Sequence, residues 1–176
     1  MTTNIVMSKT EVYRARYRGI RFEINRLFWE GATQPQWTFY LILNEKELPE
    51  KEFKSIWDIS IIKYNNHCFY RYDGNPIIDS IKWHYGCTYY EKSGGYDKVS
   101  NIRYVKMGCD YGHFHDIPFL PIESVILDVM AAINSLYELI PDIKIWCNIC
   151  GEYTSDATCK DNGKVLCQKC IKKGAT

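Results

Sequence analysis

The chain has almost no net charge: 22 lysines and arginines stand against 21 acidic residues, +1 overall. Neither a bulk polyanion partner nor an acidic mimic of DNA is expected from such a balance. Long apolar runs are also missing. The opening "MTTNIVMSKT" lacks the apolar centre of a signal peptide. No stretch approaches the length of a membrane span. The expected compartment is therefore the cytoplasm, with no membrane partner. Met7, which heads "SKTEVYRARY", would also serve as an initiator. Absent too are a Gly-rich phosphate loop, a nucleophile elbow, a His-Glu-x-x-His pair, internal repeats and low-complexity tracts.

What is present is ordinary in bulk, with 46% apolar and 24% charged residues, but rich in aromatics at 15%, with 14 Tyr and 5 Trp. Such side chains suit interfaces as well as cores. Charge is unevenly spread. Lys9, Arg14, Arg16, Arg18, Arg21 and Arg26 face only Glu11 and Glu23 in the first segment, and the balance turns acidic from Glu45 to Asp58.

Alternation in "VYRARYRGIRFEI" sets Tyr13, Ala15 and Tyr17 on one face and Arg14, Arg16 and Arg18 on the other. It predicts two strands, or one long bent strand, with one buried face. "WTFYLIL" reads as a central strand. "LPEKEFKSIW" reads as a short helix begun at Pro49, with Phe53, Ile56 and Trp57 at helical spacing. "SIKWHYGCTYYEK" and "NIRYVKMGCDYG" read as two further strands joined through the Gly-rich "SGGYD". Pro121 opens and Pro141 stops a long helix whose stripe of Ile122, Val125, Ile126, Val129, Met130, Ile133, Leu136, Tyr137 and Ile140 is expected to pack on the sheet. The expected fold is α+β: an antiparallel sheet carrying one long amphipathic helix over residues 1–140, followed by a small four-cysteine module over 141–176.

That last segment holds five of the eight cysteines and few apolar anchors, so it needs a staple. Cys147, Cys150, Cys167 and Cys170 form Cys-x2-Cys-x16-Cys-x2-Cys. Each Cys-x2-Cys turn sets two sulfurs at adjacent corners of a tetrahedron, and the loop between brings in the other two. Gly151 suits the tight turn, Asn162-Gly163 is a hairpin signal, and "CQKCIKK" can start a short helix. In a reducing compartment the spacing favours zinc over two disulfides or buried free thiols. Four thiolates close the coordination sphere, so this zinc is expected to give shape rather than chemistry. Cys159 has no partner at ligand spacing. The order of turn, hairpin, turn and helix from Lys144 to Lys173 resembles a treble-clef or zinc-ribbon module. Its charge is mildly basic, with Lys160, Lys164, Lys169, Lys172 and Lys173 against Glu152, Asp156 and Asp161. A structural cap or protein-binding face is expected before a reader of DNA.

A second constellation lies in "WHYGCTY" and "GCDYGHFHD". Some of His84, Asp110, His113 and Asp116 could form a second metal site if their strands pair, with an open position suited to hydrolysis. Cys87 or Cys109 beside a His would be the nucleophile of a thiol enzyme. The rival reading is structural: histidines bonded to carboxylates, with Asp116 bracing a loop.

His84, Gly86, Thr88 and Tyr89 resemble a "HGG-x-TY" segment found in small bacteriophage-encoded proteins of unknown function. Gly108, Asp110, His113 and Asp116 resemble the "G-F-D-x-x-H-x-x-D" segment that follows it there, again ahead of an amphipathic helix. Cys109 stands in place of the Phe and Tyr85 displaces the second Gly. The match spans about a third of the chain and implies a phage or prophage origin. A Tyr-, Lys- and Ile-rich chain with a structural zinc also resembles the zinc-containing anti-CRISPR proteins, which inhibit type II, single-protein Cas nucleases. That resemblance implies a non-catalytic inhibitor that binds the effector in the host cell and obstructs guide or target DNA. Arg14, Arg16 and Arg18, the Glu45–Asp58 segment or the zinc module would supply the contact. A metal-dependent hydrolase using the His/Asp cluster, and a nucleic-acid-binding zinc-ribbon protein, are the alternatives.

Overall fold

Period-two alternation builds the first half of the chain. The computed structural model describes residues 7–29, 35–59, 61–63, 70–72, 74–93, 102–112, 120–160 and 164–175. β1 (Met7–Tyr17) and β2 (Ile20–Trp29) form a hairpin in which Tyr17 faces Ile20. The two residues between them, Arg18 (φ 47) and Gly19 (φ 86), both take positive φ, the geometry that matches a turn to strand twist. Arginine is strained there. Tyr137 offsets the strain by donating its hydroxyl to the Arg18 carbonyl at 2.6 Å, and the Arg18 guanidinium lies 4.1 Å over the Tyr137 ring.

β3 (Gln36–Asn44) is the middle strand of an antiparallel sheet of order β1-β2-β3-β7-β6, where β6 is Tyr89–Ser93 and β7 is Tyr104–Asp110. One face is core. Ile20, Ile24, Phe39, Leu41, Val105 and Met107 are fully buried on it. β1 outruns that cover: Tyr13 and Ala15, expected on the buried face, are exposed at the sheet edge.

Four helices and three two-stranded ladders complete the described fold. α1 (Glu50–Trp57) follows Pro49 and buries Phe53 and Ile56. β4 (Ile61–Lys63) pairs with β5 (Tyr70–Tyr72). α2 (Pro76–Ser80) ends at the first residue of the stretch that reads in the sequence as a strand. Asn75 caps it by accepting from the amides of Ile77 and Ile78 at 3.0 and 3.1 Å, with Pro76 in the first turn. Tyr85 (φ 56) and Gly86 (φ 100) then bend the backbone, so β6 begins only at Tyr89. The "GGYD" connection lies outside the described residues.

α3 (Ile122–Leu139) packs on β2 and β3. Its buried positions are Val125, Val129, Ala132, Ile133, Ser135 and Leu136. Ala132 and Ser135 are covered because α2 and the segment after it lie alongside; the Lys82 amide donates to Ser135 Oγ at 3.0 Å. Ile126, expected in the buried stripe, is exposed. No helix among the described residues is long and apolar enough to cross a membrane.

After α3 the chain stays against the sheet. Ile143, Ile145 and Val165 belong to the same buried cluster as the strand residues. Ile145 fills the space left by Gly19, where a Cβ would lie 2.3 Å from its Cγ2. The Lys144 amide donates to the Glu47 carbonyl at 2.7 Å, and Asn44 Nδ2 donates to the Tyr153 hydroxyl at 3.1 Å.

Glu47 sits in this junction at 1% exposure, accepting the Asn44 amide at 2.9 Å. Burial raises its carboxyl above the ordinary 4.5, against the opposing pull of the Asn44 amide, Arg21 and Arg16. A raised folded pKa contributes stability below the unfolded value, and that contribution is lost as pH rises through the folded pKa. Glu47→Gln should therefore flatten the fall in stability from pH 4.5 upward. Urea denaturation of both proteins at pH 4.5 and 7.5 checks this; an unchanged difference between the two pH values would refute it.

Candidate metal centre

Two short turns and a hairpin assemble four sulfurs. β8 (Ile145–Trp146) leads into Cys147 and pairs with β9 (Tyr153–Thr154), so the first Cys pair sits in the connection. The turn closes where the Gly151 amide donates to the Cys147 carbonyl at 3.0 Å and the Cys147 amide to the Glu152 carbonyl at 2.8 Å. Gly151 needs φ 71, and a Cβ there would press on the Trp146 ring at 3.3 Å.

β10 (Ala157–Cys159) pairs with β11 (Val165–Cys167), and β11 runs directly into α4 (Gln168–Lys172). Cys167 thus ends a strand while Cys170 lies in the helical turn after it. The hairpin tip at 161–163 is outside the described residues. Asn148 ties the two halves: its amide donates to the Val165 carbonyl at 2.8 Å, and its Oδ1 accepts the Val165 amide at 2.6 Å.

The Sγ atoms of Cys147, Cys150, Cys167 and Cys170 lie within 4.8 Å of one another, close enough to hold a metal ion. Cys147, Cys167 and Cys170 are buried and Cys150 is exposed. Cys150 and Cys167 sulfurs are 3.7 Å apart, and all seven cysteines of the described residues are free thiols. Burial opposes ionisation of Cys147. The amides of Cys150, Cys167 and Ile149 nevertheless turn toward its sulfur and bring its pKa down to about 6. Cys170 goes the other way, to about 12, because of the Cys167 sulfur beside it, then burial, then Cys150 and Cys147. For Cys150 the Glu152 amide pulls downward, but burial and the Cys147 and Cys167 sulfurs outweigh it. One thiolate therefore forms readily and resists a second. A cation at the centre would remove that conflict by favouring the thiolate form of all four. Cys159 stands apart, exposed on β10 with its thiol directed to the Lys160 carbonyl at 3.7 Å.

The two described members of the His/Asp cluster, His84 and Asp110, lie against different neighbours. His84 lies in the loop between α2 and β6, with Nδ1 3.6 Å from Asp128 Oδ2 on α3 and its ring stacked 4.1 Å from Tyr111. Tyr111 donates to the same Asp128 oxygen at 2.7 Å. Asp110 accepts from Thr88 Oγ1 at 2.7 Å and from the Gly112 amide at 3.1 Å. His113 and Asp116 lie outside the described residues. Burial pushes the Cys87 thiol up to about 12 and raises Cys109 further, the reverse of what a thiolate nucleophile needs. Sequence reasoning overlooked Asp128 and Tyr111. The available signal was one acidic side chain inside an apolar helical run.

Arg14 and Arg16 share one face of β1, opposite Glu23 and Arg21, while Arg18 lies in the turn that follows. Arg14 pairs with Glu23 at 2.9 Å while remaining 72% exposed, and Arg16 donates to the Gly19 carbonyl at 2.8 Å. Arg18, in the turn, reaches Asn134 Oδ1 on α3 at 3.0 Å. No family model, curated protein or solved structure matches this chain.

Proposed function

We propose that this is a non-catalytic zinc protein of phage or prophage origin that inhibits a type II CRISPR effector nuclease by occupying its surface in the host cytoplasm. The observation that carries the reading is the set of four cysteine donors. They fill a tetrahedral zinc sphere and leave no position for water or substrate. A tetrahedron with Zn–S legs of about 2.3 Å has edges of about 3.8 Å. The Cys150–Cys167 separation of 3.7 Å fits it. Turn, hairpin, turn and helix supply the ligands in treble-clef order. Zinc there would hold the segment 141–176 in shape against the sheet.

The choice of a binder rests on further features. Cys87 and Cys109 are thiols with raised pKa, and His84 and Asp110 are engaged by different neighbours. Arg14 is available at the surface even while paired. The choice of nuclease rests on the resemblance to zinc-containing anti-CRISPR proteins. Cleavage assays with a panel of type II effectors test both. Inhibition should be complete near one equivalent per effector, with co-elution of the pair on a sizing column. Absence of inhibition across the panel would reject the nuclease. Loss of effector or guide activity at a small fraction of an equivalent would reject the non-catalytic mode.

A further inference from the structure

α3 carries exposed apolar side chains away from its buried side. The buried side holds Val125, Val129, Ala132, Ile133 and Leu136. Glu123, Leu127, Met130, Asn134 and Tyr137 run along the other side at spacings of four, three, four and three, the last two partly covered by Arg18 and Tyr137 also touching the core. Leu127, at 65%, is the most exposed large apolar side chain among the described residues, and Ile126 beside it is 36% exposed. A helix with a single buried face carries polar residues there. Spacing alternating between four and three is that of a helix–helix seam.

We propose that this ridge is where a second copy of the chain docks, as an antiparallel α3–α3 pair with its two-fold axis at Met130. Charge selects that occupant. Glu123 is exposed at the first turn of α3. At the other end Arg18 rests on Tyr137 and Asn134. Its guanidinium carries five donors, and the bond to Asn134 uses one of them. Met130 lies seven positions from both Glu123 and Tyr137. The two-fold operation therefore brings Glu123 of each copy opposite Arg18 of the other. It also sets Leu127 and Ile126 of one copy along the same ridge of its mate. A parallel pairing would place the two Glu123 carboxylates together. The antiparallel contact is isologous and closes at two copies.

Sedimentation equilibrium of the full, zinc-replete chain at tens of micromolar tests the proposal, and it stands independently of the nuclease. The expected mass is about twice the 20.7 kDa of one chain. Leu127→Glu should weaken self-association by at least about 30-fold, with metal content and melting temperature retained, since its side chain points away from the core. Glu123→Lys should weaken it as well, by placing a cation opposite Arg18. A wild-type mass of 20.7 kDa at every concentration would overturn the proposal and leave the ridge to a different protein. A dimer that survives both substitutions would overturn it equally, by placing the contact elsewhere.

Discussion

Cys167→Ser should melt residues 141–175 while leaving the five-stranded sheet folded but weakened. Cys167 joins the hairpin to α4, and its amide donates to Cys147 Sγ at 3.3 Å, so its loss disrupts both halves of the centre. Around the four sulfurs the segment has little else to hold it, its remaining anchors being the contacts that Ile143, Ile145 and Val165 make with the main core. Its own buried cluster consists of Cys147, Cys167 and Cys170 with Ala175 packed alongside. Structural zinc in small modules binds with about 10–16 kcal/mol, which is also their folding energy. The damage should spread, because Ile143, Ile145 and Val165 are part of the main core. Each contributes about 1.5–3 kcal/mol when buried. A fall in melting temperature of about 10 °C or more is expected for a chain of this size, together with loss of amide-exchange protection in β8 through α4. Chelation of the wild type should reproduce both effects. Unchanged melting and protection in the variant would contradict the assignment.

Gly19→Ala should be the most damaging conservative change at the junction. Its Cβ would sit 2.3 Å from Ile145 Cγ2 and 2.7 Å from Ile145 Cβ, atoms that cannot swing clear without moving β8. The added methyl must also adopt φ 86. Together these should cost about 2–4 kcal/mol. Ile145→Ala alone should cost about 2–5 kcal/mol, because its side chain is buried. The double variant should lose less than the sum, by about 1 kcal/mol or more, because Ile145→Ala removes the 2.3 Å contact with Cγ2 and the methyl at position 19 fills part of the space left, although the Cβ of residue 145 stays 2.7 Å away. Strict additivity in urea denaturation would mean that the module does not press on the turn.

Features fixed by local pattern were legible from the residues. Alternation through Tyr13–Ile24 marks the β1–β2 hairpin, and the apolar run at Trp37–Leu43 marks the central strand. Each Cys-x2-Cys pair is a local turn, so spacing alone brought the four sulfurs together in the reading as in the fold. What escaped depends on distant neighbours. Residues 80–88 alternate like a strand, but Asn75 and Pro76 start a helix just before them and Tyr85–Gly86 bend the chain. His84 lies against Asp128, and the packing of that loop on α3 brings them together. Tyr13 has the period of a buried residue yet is exposed on the edge strand β1, beside the Trp37 ring. Ile126 has the period of the core stripe, but the rotation of α3 set by α2 and Lys82 turns it outward.

Elemental analysis of the reduced, purified chain tests the central claim most directly. The account predicts one zinc per chain, lost in Cys147→Ser and Cys170→Ser and retained in Cys159→Ser and His84→Ala. Protein free of zinc, or zinc that survives loss of Cys147 and Cys170, would contradict it.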